Sequence, residues 1–316
     1  MAVAALLIAT LAGVSAVSPS FASAQNLRDL LVQSSPAVIV GCGMTLVVLT
    51  GEIDISVGSL LGLLAALMGV LASPDRAALP VPLVLGITLV AGTGVGLING
   101  LLVTVAGVPA IIATLGTLTI LRGVTEVVMD ERWVTDLPPG LRWFGTGMPA
   151  GLPVCIWASI AVSVVALVLT RWLPLGLRIY AVGGNPDAAA GARVSILRVK
   201  LLTFTLTGLF TAVAAIVTVP QQSVIESGIG SGFELVVVTA VVVGGTSIRG
   251  GYGGIGGTIL AALLLGSVRT VLVFVNIGEM ATYWERAIQG AFILAAVLAD
   301  HVAGTASKGR GVGVAA

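Results

Sequence analysis

The chain has 316 residues, of which 57% are hydrophobic, 9% charged and 5% aromatic; its net charge is +1 and its mean hydropathy +1.12. Soluble domains carry about 25% charged residues, so 15 basic and 14 acidic side chains cannot solvate a globule of this size, and disorder, which needs low hydrophobicity and high net charge, is excluded as well. The near-neutral balance leaves no basic footprint for nucleic acid, and one polytopic transmembrane domain accounts for residues 1–316.

A helix crosses roughly 30 Å of hydrocarbon with about 20 apolar residues. Apolar runs at 3–17, 36–50, 55–72, 79–105, 108–128, 152–170, 201–219, 235–245, 253–275 and 287–299 predict an all-α protein with about ten transmembrane helices. The first run ends near Ala22-Ser23-Ala24, a small-residue pattern like a secretory cleavage site. It lacks the basic n-region of such signals, the first basic residue being Arg28. It therefore reads as the first span of a chain whose short basic lead is lost.

Next comes an interruption, Gly51-Glu52-Ile53-Asp54-Ile55-Ser56, inside an otherwise apolar stretch from 36 to 72. Asp54 suits an N-cap for a helix starting near Ile55. Arg122 and Glu126 are spaced i, i+4 and can pair on one helix. The segment 129–151 carries Asp130, Glu131 and Asp136 against Arg132 and Arg142, whereas 171–200 carries Arg171, Arg178, Arg193, Arg198 and Lys200 against Asp187 alone. By the positive-inside rule the second loop is cytoplasmic and the first external. Lys308 and Arg310 place the C-terminal tail inside, and ten spans with both termini inside satisfy all three.

Within the cytoplasmic loop, Asn185 is a good N-cap, Pro186 suits the first helical position and Asp187 complements the helix dipole. Ala188, Ala189 and Ala190 then give a short helix of small side chains, suited to insertion into a groove on another protein. A second interruption, Gly244-Gly245-Thr246-Ser247-Ile248-Arg249-Gly250-Gly251, breaks the stretch from 235 to 275. Two glycine-rich broken segments in corresponding halves point towards a substrate route, although glycines also let membrane helices approach closely without any further role.

Charges at membrane depth cost about 2.5–3.5 kcal/mol each on insertion scales, which marks Glu52, Asp54, Arg122, Glu126, Glu234, Arg249 and Arg269. A phosphate-binding loop needs Lys before Ser or Thr behind a glycine-rich turn; Lys200 precedes Leu201 and Lys308 precedes Gly309, so the chain has no nucleotide-binding motif of that kind. One histidine, His301, and two cysteines leave no metal site of the Cys/His type. His301 reads as a solvated helix-end residue, and Cys42 and Cys155 as buried thiols.

With these residues assembled, the chain resembles the membrane permeases of the ribose/branched-chain-amino-acid class of ATP-binding-cassette importers. Four blocks carry the likeness. They are Gly51 to Gly58; Asn99-Gly100 with Ile112 to Thr117 and Leu121-Arg122-Gly123; Tyr180 to Asn185 with the alanines that follow; and Gly244 to Ser247 through Gly250-Gly251 to Thr258. The stretches Arg132 to Pro139 and Tyr283 to Arg286 look most like permeases for rhamnose and autoinducer-2.

The resemblance implies that the loop helix, with Gly184, Asn185, Pro186, Asp187, Ala188, Ala189, Ala190 and Arg193, docks on a separate ATPase. It further implies a second permease chain, a periplasmic or lipid-anchored binding protein, the bacterial inner membrane and no cofactor of the chain's own. For sugar-like cargo the route is expected to be lined by hydroxyls and amides, with Ser56, Asn99, Thr114 and Thr117 as candidates that could equally bond neighbouring helices. An arginine at Ala189 is expected to block ATPase association while leaving insertion intact. Glu52 stands where the family more often has Gly or Asn. The rival readings are an ion-coupled secondary transporter using Glu234 or Glu126, and an intramembrane enzyme using Glu52 and Asp54.

Overall fold

The structure is a computed structural model that describes residues 2–274 and, beyond them, 284–285, 287–292, 294–295 and 298. It is all-helical: among the described residues there is no strand, only an isolated bridge between Val134 and Ile225. The helices are α1 (Ala2–Val17), α2 (Ala24–Leu49), α3 (Val57–Ala72), α4 (Val81–Thr104), α5 (Ala110–Met129), α6 (Pro139–Thr146), α7 (Val154–Arg171), α8 (Pro174–Gly184), α9 (Pro186–Gly191), α10 (Ile196–Thr218), α11 (Phe233–Val243) and α12 (Ile255–Phe274). Six of them, α2, α4, α5, α7, α10 and α12, are long and apolar enough to cross a membrane; α1, α3 and α11 are shorter apolar helices. This is a multi-pass membrane protein. The tenth expected run is described only in pieces, and Tyr283, Arg286, His301, Lys308 and Arg310 lie outside the described residues.

Proline punctuates the chain where the sequence pattern alone is silent. Pro80, Pro109 and Pro153 stand at the N-caps of α4, α5 and α7, and Pro174 and Pro186 open α8 and α9, positions where the missing N–H costs nothing. The helix expected from 36 begins instead at Ala24, N-capped by Ser23, and runs through Pro36. The polar residues between Gln25 and Ser35 interrupt the apolar run but not the backbone hydrogen bonding that makes a helix. Likewise α10 begins at Ile196, behind a Ser195 cap, rather than at 201.

Helix α2 is the central pillar, buried almost continuously from Ala37 to Leu49. Its neighbours can be levelled against it. Gly43 meets Thr207 of α10, Cys42 lies 3.8 Å from Ser163 of α7, and Thr45 bonds Thr258 of α12 at 2.7 Å. Cys42 and Cys155 are free, buried thiols. Helices α4 and α10 cross tightly where Gly92 and Gly96 face Gly208, the small-residue packing that membrane helices favour.

This levelling sorts the connections into two rims. One gathers Val134 with Ile225, Arg76 with the carbonyls of Met129 and Arg132, and Phe21 edge-on to Phe274. The other gathers Leu49 with Gly251 and Glu52 with Lys200, and it carries Arg171, Arg178, Arg193, Arg198 and Arg249. Asp75, Asp130, Glu131, Asp136 and Glu226 all belong to the first rim.

The expected span 235–245 is an eleven-residue helix, 233–243, about 16 Å long at 1.5 Å per residue and too short to cross alone. The missing length is made by the non-helical chain before it, a run of turns from 227 to 232. Ile225 faces Gly69, Ile229 O faces Gly62 and Gly230 O faces Gly58, so this segment runs antiparallel to α3 from Gly69 back to Gly58. Side chains at Gly58 or Gly62 would strike those carbonyls. Arg122 holds the segment in place: instead of pairing with Glu126, its Nη1 donates to Ser227 O at 2.9 Å and Ile229 O at 3.1 Å. Carbonyls without a helix ladder need such a donor where water is scarce. Glu126 is exposed.

Candidate functional site

The break between α2 and α3 starts where Gly51, in the left-handed region (φ +81°), ends α2. Helix α3 begins only at Val57, so Asp54 does not serve as its N-cap. Its Oδ1 instead accepts from Ser56 N–H at 2.9 Å and Ser56 O–H at 2.6 Å. Asn99 on α4 closes over the pair, its Nδ2 lying 2.8 Å from Ser56 Oγ and 3.4 Å from each carboxylate oxygen. Thr117 on α5 donates to Asn99 Oδ1 at 2.7 Å, and Thr114 reaches Ile55 N–H at 3.3 Å and Ile53 O at 3.4 Å.

All four candidate route residues are therefore brought into one place. They do not line an open channel in this state. Ser56, Asn99 and Thr114 are fully buried, Asp54 is 2% exposed, and their polar atoms are spent on one another, tying α3 to α4 and α5. The sequence marks Asp54 by its depth but does not group it with Asn99 or Thr117, because 45 and 63 residues of chain separate them and only helix packing joins them.

A second feature lies at the other side of α3, where Leu61 faces a cavity with a mostly apolar lining. This cavity, of about 690 Å³, opens between the end of α10 and the start of α11, with Thr218, Gln222, Ser231, Phe233, Glu285 and Gln289 in its lining. Glu234, one residue further, turns its Oε2 towards Gly58; that oxygen is buried and has no hydrogen-bond partner among the described residues. Nothing in the apolar pattern of 235–245 signals this cavity, which depends on the turns that lead into α11.

The loop helix forms as its residues dictate. Asn185 caps α9, its Oδ1 accepting from Ala188 N–H at 3.0 Å, with Pro186 first and Asp187 in the first turn. Arg193 ends the turn in the left-handed region (φ 60°), its N–H bonded to Ala190 O at 2.9 Å. Asn185, Pro186, Asp187, Ala188, Ala190 and Arg193 are exposed on the basic rim. Ala189 is not: at 4% exposure it packs into the main core. An arginine there would disrupt the fold, which corrects the expectation that it would act on partner docking alone.

The basic rim also accounts for the unusual Glu52. It forms an ion pair with Lys200 near the start of α10, with each side chain 19% exposed. Arg249 and Arg269, the other charges expected at depth, are both exposed. Among the described residues, no group of His, Cys, Asp and Glu could hold a metal ion.

Comparison with known proteins places this geometry in context. A family model for the branched-chain amino acid transport system / permease component matches residues 26–297. The ribose import permease protein RbsC of Haemophilus influenzae is 37% identical over 303 residues, covering 95% of this chain and 92% of that protein. RbsC of Escherichia coli K12 is 36% identical over 299 residues, covering 93% and 91%. The autoinducer 2 import system permease protein LsrC of an Enterobacter species is 35% identical over 286 residues, covering 90% and 81%. No solved structure matches the chain.

Proposed function

Since this chain belongs to the family of the branched-chain amino acid transport system / permease component, we propose that it is the membrane-spanning permease subunit of an ATP-binding-cassette importer for a sugar or sugar-like molecule. The observation that carries the reading is α9. It is a six-residue helix with one buried anchor, Ala189, and an otherwise exposed small-residue surface on the basic rim. Such a surface has little core of its own and suits a groove on a separate ATPase. The positive-inside rule supports a cytoplasmic side for the rim from 171 to 200, where ATP is available, and the bacterial relatives support a bacterial inner membrane as the location.

In this reading a second permease chain completes the route and a binding protein delivers cargo to the opposite rim. Ribose, rhamnose and autoinducer-2-like molecules are the cargo classes to screen. The cavity beside α11 sets the amides of Gln222 and Gln289 and the hydroxyls of Thr218 and Ser231 among mostly apolar neighbours such as Leu61 and Val236, a mixed lining that can meet both the faces and the hydroxyls of a sugar ring, and Ser56, Asn99, Thr114 and Thr117 form the closed floor of the route, exposed only when α3 separates from α4 and α5. A ligand shifts such an equilibrium only through differential contacts with the two states; in this reading the ATPase supplies them through α9.

The test is co-purification with the neighbouring gene products in lipid discs. An ATPase that co-elutes, with hydrolysis stimulated by a binding protein, supports the reading. Ala190→Arg, at an exposed position, is expected to release the ATPase from a folded chain; normal uptake in that variant would refute docking through α9. The buried Glu234 oxygen, without a hydrogen-bond partner among the described residues, favours one second reading, ion-coupled transport. That reading requires uptake without an ATPase, abolished by an uncoupler and by Glu234→Gln.

A further inference from the structure

Both interruptions flagged in the sequence meet at one point beneath the loop that carries α9. Gly183 and Gly184 end α8, immediately before the Asn185 cap. A Cβ on Gly183 would overlap Leu49 O and Gly251 N; one on Gly250 would lie 2.7 Å from Gly51 N and 3.1 Å from Gly183 Cα. Gly251 N–H donates to Leu49 O at 2.9 Å, so the two breaks are hydrogen-bonded to each other with the end of α8 pressed against both. Tyr180, also on α8, donates its O–H to Gly253 O at 3.0 Å. The positive φ of Gly51, Gly250 and Gly251, at 81°, 84° and 72°, lets three backbones come this close.

We propose that this backbone contact between Gly183-Gly184, Gly250-Gly251 and Leu49-Gly51 is a transmission joint through which displacement of α9 moves both breaks together, with the Glu52–Lys200 ion pair as its latch. The inference rests on the docking role of α9 proposed above. Bare backbone carries no rotatable side chain that could absorb a displacement, and close-packed interiors respond by switching arrangement rather than by yielding. The downstream connections are short. Gly51 is five residues from Ser56 and hence from the Asp54–Asn99 knot that ties α3 to α4 and α5. Gly251 is seven residues from Thr258, which bonds Thr45 across α12 and α2. Lys200 fastens the first break to α10 in the state described here, and its release would free the break to move.

The experiment uses the full complex with its ATPase and binding protein in lipid discs. Glu52→Gln, Lys200→Gln, the exchanged pair Glu52→Lys with Lys200→Glu, and Gly251→Ala are compared for ATPase association, basal hydrolysis and binding-protein-stimulated hydrolysis. Both single charge variants are expected to keep the ATPase and basal hydrolysis but to change the stimulation ratio by roughly fivefold or more, the low end of coupling between distinct sites. The exchanged pair is expected to restore it. Gly251→Ala is expected to alter the ratio in the same way in whatever fraction folds; a purely structural role would lower the amount of folded chain and leave the ratio alone. Wild-type ratios in both single charge variants and in Gly251→Ala overturn the proposal. Release of the ATPase by the single charge variants assigns the pair to the docking surface and also overturns it. A wild-type chain that binds no ATPase refutes the docking reading itself, and the joint with it.

Discussion

Replacing Asn99 with alanine isolates the knot that holds α3 against α4 and α5. The carboxamide donates to Ser56 Oγ at 2.8 Å and accepts from Thr117 at 2.7 Å, two bonds worth about 1 kcal/mol each net. Its contacts to Asp54 are 3.4 Å long and add at most about 1 kcal/mol. Asn99 is fully buried, so the truncation also leaves a void costing on the order of 1 kcal/mol. The expected loss is therefore about 3–4 kcal/mol. Asp54→Asn keeps the shape and the oxygen that Ser56 bonds, so its expected cost is under about 1 kcal/mol. Thermal unfolding in lipid discs, followed by tryptophan fluorescence, compares the two. An Asn99→Ala midpoint close to wild type, or an Asp54→Asn loss as large as that of Asn99→Ala, would refute the network as the fastening of these helices.

Arg122→Met strips the donors from Ser227 O and Ile229 O, so a cysteine introduced at Ser227 is expected to react with a water-soluble maleimide about tenfold faster, equivalent to ~1.4 kcal/mol of easier opening; Arg122→Lys is expected to lie between, and an unchanged rate sinks the strut. Ala189→Arg buries a charge and overpacks the core, so folded yield after detergent extraction is expected to collapse at a cost of about 3 kcal/mol or more, whereas exposed Ala190→Arg is expected to fold within about 0.5 kcal/mol of wild type. Burial pushes the Tyr180 phenol above its ordinary range, with Arg171 pulling it partly back. A group whose folded pKa is raised contributes stability that is intact below its unfolded value, about 10, and lost as pH rises further. Alkaline melts are therefore expected to lose stability only above about pH 10, and Tyr180→Phe to remove that component; identical alkaline slopes in the two proteins would contradict it.

The membrane class, the positions of the apolar helices and the capped loop helix at 185–191 were legible in the sequence, because each rests on local quantities. Apolar run length is set by hydrocarbon thickness, and Asn185, Pro186 and Asp187 act on their own first turn. Local pattern also misled where the helix ladder and side-chain polarity part company: α2 extends twelve residues before Pro36 because its solvated first turns need no apolar face.

What only the tertiary structure decided are the contacts between residues distant in the chain. Arg122 and Glu126 have the spacing of a pair, yet Arg122 turns to carbonyls more than 100 residues away that no helix satisfies. Ser56, Asn99, Thr114 and Thr117 could be named from their chemistry, but that they bond one another around Asp54 depends on how α3, α4 and α5 pack. Glu52 looked like a departure until Lys200, 148 residues on, met it at the basic rim. Ala188, Ala189 and Ala190 are alike in sequence; one is core and its neighbours are surface because the turn of so short a helix against the rim fixes which methyl faces inward.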